Sequence, residues 1–268
     1  MRGSRPKRRL GQHFLYDPRL LARIADATLA GREDTVLEIG PGPGGLTSAL
    51  VARAGRVVAI EKDPDVLPAL RARAPEAVIL EADALDADWH AAAGHPEPPR
   101  FIVAGNIPYN ITSPLIDKAL APPMPARIVF LVQKEVADRI ASGPGSRAYG
   151  ALSVGVQAVA RVEKLFAVPA GAFQPPPKVD SAVIRLTPLE APLIPPDRRD
   201  SFRRFVIALF GLRRKQLQRA LREVTGQPGE RVVALLDSMR IDPVARAETL
   251  TPRQFADLHA RVTDIGDG

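Results

Sequence analysis

The stretch TVLEIGPGPGGLTSALVARA, residues 35–54, decides the fold that we predict for this chain. It opens with a mostly apolar, β-branched run typical of a buried strand and closes with a helical pattern. Gly40, Gly42 and Gly45 lie between the two. A glycine turn between a strand and a helix lets backbone N–H groups approach a ligand, because glycine has no side chain to block it. The stretch predicts a ligand-binding loop, although a tight structural turn would have the same sequence.

Similar β-branched runs recur after this loop and alternate with segments that are long enough for helices. The runs are almost continuously apolar, which is typical of parallel strands covered on both faces. Asp17-Pro18 and Asp63-Pro64 have the form of helix starts, with an N-cap and a proline in the first turn. We therefore predict an α/β fold with a mostly parallel, doubly wound sheet. The predicted strands are 35–41, 56–62, 77–85, 101–109 and 127–134.

The second half of the chain differs from the first. Residues 152–168 and 181–189 are predicted as further strands or hairpin arms, and the lack of a helix between them indicates an antiparallel edge. A proline-rich linker follows at 189–200. We accordingly expect a larger domain over residues 1–190 and a smaller one over 191–268.

The smaller domain has helical patterns. Apolar residues recur at helical spacing from Phe202 to Leu221, with an interruption expected at Gly211. Thr251-Pro252-Arg253-Gln254 has the form of a capping box, which opens a further helix. The sequence predicts a small helical domain.

The composition excludes several classes of protein. The chain has 268 residues and no cysteine, so it has no disulfide framework, thiolate metal site or cysteine nucleophile. Its four histidines are scattered, which argues against a metal site. We find no signal peptide and no apolar run of membrane-spanning length. We expect a soluble cytoplasmic protein that binds no metal and no membrane.

The net charge of +7 is concentrated in two segments. Residues 1–9 carry five basic residues and no acidic one, and residues 198–222 carry nine basic residues against Asp200 alone. The rest of the chain is mildly acidic. This distribution favours a polyanionic partner, although a basic tail and a solvated helix face would have the same composition. Charge alone does not separate RNA, DNA and an anionic membrane.

Acidic residues mark the strand ends near the glycine loop. Glu38 precedes the first glycine by two residues, Glu61 ends the next strand, and Asp83 ends the third. A carboxylate at Glu61 can accept ribose hydroxyls, and one at Asp83 can accept an adenine amino group. An acid at the end of the second strand is common to nicotinamide and S-adenosylmethionine sites. The acid after the third strand favours S-adenosylmethionine.

The fourth strand ends in Asn106-Ile107-Pro108-Tyr109, which is the most specific motif in the chain. Methylation of an exocyclic adenine amine is difficult, because the nitrogen lone pair is delocalised into the ring. The Asn106 side-chain oxygen and the Ile107 carbonyl could accept the amine hydrogens and stabilise the developing charge. Pro108 would fix the backbone, and Tyr109 would stack on the base. Phe173, in a proline-braced loop, could clamp the other face of the base or act as a hydrophobic plug.

These motifs resemble the rRNA adenine N6-dimethyltransferase family, and within it the bacterial small-subunit branch, in which loss of the enzyme gives kasugamycin resistance. The resemblance covers nearly the whole chain. Its motifs are GQHFL (11–15), LEIGPGPGGLT (37–47), AIEKD (59–63), EADAL (81–85), GNIPYNI (105–111), VQKEVADRI (132–140), FQPPPKVDSAVIRL (173–186), LRRKQLQRAL (212–221) and AETLTPRQFADL (247–258).

The resemblance implies a Rossmann-like class I methyltransferase with a small C-terminal helical domain. It implies S-adenosylmethionine-dependent N6,N6-dimethylation of two adjacent adenosines in the 3′-terminal hairpin of 16S rRNA, in a small-subunit assembly intermediate. We expect the chain to act as a monomer. The family's positions imply cofactor contacts at His13, Leu15, Gly40, Gly42, Glu61, Asp83 and Asn106, a target-base pocket of Asn106, Pro108, Tyr109 and Phe173, and RNA contacts at Arg8, Arg9, Lys178, Arg213, Arg214 and Lys215. Asparagine is common in the family where His13 stands.

Three other interpretations remain open at this point. One is the related large-subunit (23S) rRNA adenine methyltransferase that confers macrolide resistance, which shares the glycine loop and the Asn-Ile-Pro-Tyr motif. Another is a non-catalytic nucleic-acid-binding relative, against which the intact motif argues. The last is a nicotinamide-dependent dehydrogenase, which would leave residues 106–109 and both basic segments unexplained.

Overall fold

The centre of the structure is a seven-stranded sheet. The structure is a computed structural model that describes residues 12–29, 31, 34–94 and 101–266. Its strands are β2 (Thr35–Ile39), β3 (Arg56–Glu61), β4 (Val78–Glu81), β5 (Phe101–Asn106), β6 (Arg127–Gln133), β7 (Ala160–Val168) and β9 (Ser181–Pro188). Their spatial order is β4-β3-β2-β5-β6-β9-β7. Two very short strands, β1 (Phe14–Leu15) and β8 (Phe173–Gln174), form a separate antiparallel pair.

The strand order reverses on either side of β2. The chain runs outward from β2 through β3 to β4 and then returns to β5 on the other side of β2, with all of these pairs parallel. In a sheet of this kind the loops after the two strands that flank the reversal diverge and leave a crevice at their carboxyl ends. The glycine loop follows β2 and the motif 106–109 ends β5, so the topology brings these two segments to one crevice.

The last strands form the antiparallel edge that the sequence predicts. Strand β9 runs antiparallel to β6, with Gln133 opposite Ser181 and Phe130 opposite Ile184. Strand β7 lies beyond β9. The predicted α/β class, with a mostly parallel sheet and an antiparallel edge, is therefore confirmed.

One strand prediction is wrong in part. Residues Ala151–Gln157 form a helix, α7, and only Ala160–Val168 of the predicted 152–168 segment is a strand. Ser153 is fully buried, and its hydroxyl accepts a hydrogen bond from the Gly150 N–H at 3.1 Å. The segment is short and largely apolar, and the periodicity of such a segment does not distinguish a helix from a strand.

Helices connect the strands of the parallel part. Asp17 caps the first of them, because its side chain accepts hydrogen bonds from the N–H groups of Arg19 and Leu20, as predicted. Asp63 caps the short 3-10 turn Pro64–Val66 in the same way. The helices are α1 (Pro18–Thr28), α2 (Gly45–Val51), α3 (Leu67–Arg73), α4 (Trp89–Ala93), α5 (Thr112–Ala119) and α6 (Lys134–Ala141).

The remainder of the described chain is helical, as predicted. The helices are α8 (Arg199–Gly211), α9 (Leu217–Thr225), α10 (Gly229–Ser238) and α11 (Pro252–Gly266). Helix α8 ends at the expected interruption, and the capping box is present. The Thr251 N–H donates to Gln254 Oε1 at 2.9 Å, and the Gln254 N–H donates to Thr251 Oγ1 at 3.2 Å.

Contacts between residues divide the chain into two compact units. One unit contains 1–137 and 162–188, and the other contains 138–161 and 189–268. The second unit thus includes α7 together with the C-terminal helices. A functional boundary at 190/191 stays a prediction.

Candidate functional site

The glycine loop has a backbone that requires glycine. Gly40, Gly42 and Gly44 all have positive φ, at 65°, 55° and 85°. A Cβ atom on Gly42 would lie only 2.7 Å from Cε1 of Phe14, a side chain that is itself buried. The Gly42 N–H donates to Glu61 Oε2 at 2.9 Å. A neighbouring strand end therefore fixes the shape of the loop.

Glu61, at the end of β3, joins the loop to the next turn. Its other carboxylate oxygen accepts the Asp63 N–H at 2.8 Å, and the Asp63 side chain accepts a hydrogen bond from Gln12 Nε2 at 2.9 Å. Burial raises the pKa of Glu61, whereas the hydrogen bonds that its carboxylate accepts from the Asp63 and Gly42 N–H groups lower it. Glu61 lines the cleft, and its carboxylate accepts hydrogen bonds from the backbone N–H groups of Gly42, Lys62 and Asp63. A carboxylate has about four acceptor sites, so some capacity remains for a ligand hydroxyl.

Asp83, which follows β4, also lines the cleft. Lys62 Nζ lies 2.5 Å from its Oδ2, and the Leu85 N–H donates to its Oδ1 at 2.9 Å. The Lys62 ammonium lowers the pKa of Asp83. Asp83 is therefore ionised at neutral pH and keeps an acceptor lone pair on each oxygen.

Glu38 lies on β2, between β3 and β5, and does not line the cleft. It is only 1% exposed, and its Oε2 has no hydrogen-bond partner among the described residues. Burial raises its pKa to about 8. The buried hydroxyl of Thr47 likewise has no hydrogen-bond partner among the described residues. Glu38 is therefore mainly a neutral carboxylic acid at pH 7.

The orientation of the Asn106 side chain follows from one hydrogen bond. Its Nδ2 donates to the backbone carbonyl of His13 at 2.7 Å. A carbonyl oxygen only accepts hydrogen bonds, so this contact distinguishes the two ends of the amide. The Oδ1 atom accepts no hydrogen bond from the described residues, so it remains available as an acceptor in the cleft.

The backbone after Asn106 forms a tight turn. The Ile107 N–H donates to the Leu131 carbonyl at 3.1 Å, which holds the turn against β6. The Pro108 carbonyl accepts the Ile111 N–H at 3.2 Å and the Thr112 hydroxyl at 3.1 Å. Both hydrogen bonds that the Pro108 carbonyl accepts thus come from residues of the turn and of the helix that follows it.

Tyr109 begins the 3-10 turn Tyr109–Ile111 and is half-buried. Its ring stacks with the His13 ring, with centroids 5.4 Å apart and planes 27° from parallel. Its hydroxyl lies 2.8 Å from Ser181 Oγ. His13 Nδ1 lies 2.8 Å from the Pro175 carbonyl oxygen, so Nδ1 carries the proton in this hydrogen bond. Burial raises the pKa of Tyr109, which keeps the phenol neutral.

These segments enclose one cleft with an empty volume of about 930 Å³, part of it open to solvent. Of the predicted residues, His13, Gly40, Gly42, Glu61, Asp83, Asn106, Pro108 and Tyr109 line this cleft. Gln12, Lys62 and Ser181 take part in hydrogen bonds around the cleft and were not predicted as site residues, although all three lie within the motifs GQHFL, AIEKD and FQPPPKVDSAVIRL.

Two predicted residues lie elsewhere. Leu15 and Phe173 face each other across the β1–β8 pair and are 7% and 5% exposed. Both belong to the hydrophobic core beside Val36 and Leu46, and neither lines the cleft. A role for Phe173 at the target base stays a prediction, and the same holds for Leu15 at the cofactor.

The predicted RNA-binding residues are exposed where they can be described. Lys178 lies in the loop between β8 and β9. Arg213 forms an ion pair with Glu248 at 3.3 Å, and Lys215 forms one with Glu223. Arg214 has no ion pair with any of the described residues. Arg8 and Arg9 lie outside the described residues.

Neither a metal centre nor a membrane segment is found in the part of the chain that the structure describes. No three His, Asp or Glu side chains there are grouped as metal ligands. None of the helices there has the length and apolar character needed to cross a bilayer.

Comparison with known sequences gives close relatives. The profile of the family described as "Ribosomal RNA adenine dimethylase" matches residues 3–264. "Ribosomal RNA small subunit methyltransferase A" of Geobacter sulfurreducens is 42% identical over 261 residues, which cover 96% of this chain and 95% of that protein. The protein of the same name from Phenylobacterium zucineum is 43% identical over 254 residues, which cover 93% of this chain and 85% of that protein.

Two solved structures of methyltransferases superpose on nearly the whole of this chain. A dimethyladenosine transferase from Plasmodium falciparum superposes with a TM-score of 0.82 at 26% identity, covering 95% of this chain and 98% of that chain. The 23S rRNA methyltransferase ErmE superposes with a TM-score of 0.71 at 31% identity, covering 93% and 99%.

Proposed function

Because the chain belongs to the ribosomal RNA adenine dimethylase family, we propose that it dimethylates N6 of two adjacent adenosines in the 3′-terminal hairpin of 16S rRNA, using S-adenosylmethionine. The small-subunit relatives, about 42% identical over nearly their whole length, favour this substrate over 23S rRNA. The observation that carries the proposal is the fixed amide of Asn106 at the carboxyl end of β5, with its Oδ1 available in the cleft.

The residues of the cleft fit S-adenosylmethionine. The loop with Gly40 and Gly42 has the tight, side-chain-free backbone that suits close approach of a ligand. Glu61 would accept ribose hydroxyls, and the ionised carboxylate of Asp83 would accept the adenine amino group. The bound cofactor supplies a methyl group on a positively charged sulfur, which makes that methyl electrophilic.

Asn106 and Ile107 would prepare the acceptor nitrogen of the target adenine. The Asn106 Oδ1 and the Ile107 carbonyl accept the two amine hydrogens, and this favours a pyramidal nitrogen with a localised lone pair. Transfer of the methyl group would break its bond to the cofactor sulfur and form a bond to the amine nitrogen, so that positive charge would develop on that nitrogen. Two acceptors held in place beforehand stabilise that charge without reorganisation.

The His13 carbonyl acts on this step through Asn106. By accepting from Nδ2 at 2.7 Å, it prevents the amide from turning its N–H₂ group toward the substrate amine. Tyr109 would hold the base by stacking. No general base is required, since the methylated amine is acidic enough to lose a proton to water. The half-buried, neutral phenol of Tyr109 is poorly suited to remove it.

The basic segments would supply RNA affinity. We propose that the chain acts as a monomer on a small-subunit assembly intermediate in the cytoplasm, and that residues 191–268 form its RNA-binding part. Exposed cations at Lys178, Arg213, Arg214 and Lys215 would contact phosphates. The pairing of Arg213 and Lys215 with acids makes Arg214 the strongest candidate of the C-terminal three.

Methylation of defined substrates tests the proposal. Immature small subunits from cells that lack this protein are incubated with the chain and labelled S-adenosylmethionine, beside free 23S rRNA. We expect two methyl groups on each of two neighbouring adenosines of 16S rRNA, detected as a primer-extension stop. Label in 23S rRNA alone would favour the macrolide-resistance activity, and no label in either RNA would contradict the enzymatic proposal.

A further inference from the structure

Ser181 is brought next to Tyr109, a residue of the cleft, by the antiparallel pairing of β9 with β6. It is the first residue of β9, and it lies opposite Gln133, the last residue of β6. Because β9 runs antiparallel to β6, the first residue of β9 lies at the end of the sheet where the parallel strands have their carboxyl ends. The 106–109 turn begins at this same end of the sheet.

Ser181 contacts a residue of that turn. Its side chain is fully buried, at 0% exposure, and its hydroxyl lies 2.8 Å from the Tyr109 hydroxyl. Either oxygen can donate. The two residues are 72 positions apart in the sequence, so the contact exists only in the folded chain. A Tyr hydroxyl at this depth needs a partner, because an unpaired buried hydroxyl costs free energy.

The hydrogen bond fixes the far end of the Tyr109 side chain. The near end is fixed by the 3-10 turn, and one side of the ring contacts His13, whose own ring is bonded to the Pro175 carbonyl. An aromatic ring held at its base, at its hydroxyl and by a neighbouring ring has little freedom to rotate. Such a ring offers a preformed stacking surface at low entropic cost.

We propose that Ser181 is a positioning residue that holds the Tyr109 ring in the orientation required for stacking on the target adenine. The inference rests on the proposed function, in which Tyr109 touches the base. Ser181 itself does not line the cleft and acts through Tyr109.

A double-mutant cycle tests the inference. Ser181→Ala and Tyr109→Phe each remove the hydrogen bond and keep the aromatic ring. We expect each to lower kcat/KM for the RNA substrate about fivefold, the loss expected for one hydrogen bond, and to leave the cofactor Kd within twofold of the wild-type value. The double variant should be no worse than either single variant, because the same hydrogen bond is lost in all three. Independent, multiplying effects would overturn the proposal.

Ser153→Ala is the matched control. Ser153 is also a fully buried serine, and its hydroxyl donates to the Arg139 carbonyl. We expect this variant to lose thermal stability without the change in RNA kinetics and without coupling to Tyr109→Phe. An equal loss of kcat/KM in Ser153→Ala would show that Ser181 has only a structural role.

A spectroscopic measurement separates failure of this inference from failure of the proposed function. The chain has three tyrosines, so ring-labelled tyrosine gives few NMR signals, and Tyr109→Phe assigns those of Tyr109. We expect Ser181→Ala to shift and broaden the Tyr109 signals. Unchanged signals would overturn the inference whether or not RNA is methylated. If Ser181→Ala does not fold, Tyr109→Phe with wild-type kcat/KM would equally overturn it.

Discussion

Replacement of Glu38 by glutamine should remove a large part of the pH dependence of stability. Glu38 lies on the central strand β2, between Ala59 of β3 and Ala104 of β5, and is 1% exposed. Burial raises its pKa from 4.5 to about 8, and the nearby Glu61 adds to the effect. The folded chain therefore holds a proton on Glu38 over a pH range in which the unfolded chain does not.

The direction and the magnitude of the change in unfolding free energy with pH follow from this difference in bound protons. Below pH 4.5 both states are protonated, and the contribution of Glu38 to stability is fully present. As the pH rises toward 8 that contribution is lost, because ionisation is favoured only in the unfolded chain. Each pH unit lowers the unfolding free energy by about 1.4 kcal/mol, so the contribution of Glu38 that is lost between pH 5.5 and 7.5 is on the order of 3 kcal/mol.

Urea unfolding at several pH values measures this effect. Glu38→Gln has no proton to lose, so the difference in unfolding free energy between wild type and variant should fall by about 3 kcal/mol from pH 5.5 to 7.5. A pH-independent offset from the buried amide does not alter this slope. The exposed Glu76→Gln variant is the control and should follow the wild-type curve. Parallel curves for wild type and Glu38→Gln would refute the reasoning.

The other predictions concern the catalytic turn, the sheet and the RNA contacts. Asn106→Ala should lower kcat at least a hundredfold while calorimetry still detects cofactor binding; near wild-type activity would exclude Asn106 from catalysis. Gly105→Ala would place a Cβ 2.4 Å from the Ile39 carbonyl oxygen and should lower the unfolding free energy by about 3 kcal/mol or more, whereas Gly155→Ala, with open space around it, should not. Arg214→Gln should weaken RNA binding and lower its salt slope by roughly 0.7–0.9 without changing cofactor affinity; an unchanged slope would remove Arg214 from the interface.

Local sequence patterns determined most of the fold and part of the site. The continuous apolar runs gave the parallel strands, and the aspartates at 17 and 63 gave two helix starts. The glycine loop, Glu61 and Asp83 all lie at carboxyl strand ends, so the topology of a doubly wound sheet was enough to bring them together. The strands, the helix starts and the glycine loop each depend on residues that are close together in the sequence.

Contacts between distant segments decided the rest. Ala151–Gln157 is helical, although its composition also suits a strand. Phe173 and Leu15 pack into the core because β1 and β8 pair, and Arg213 is neutralised by an acid 35 positions away. The amide of Asn106 is oriented by a carbonyl 93 residues away in sequence. Sequence spacing carries no information on such contacts, since register and packing set them only once the chain has folded.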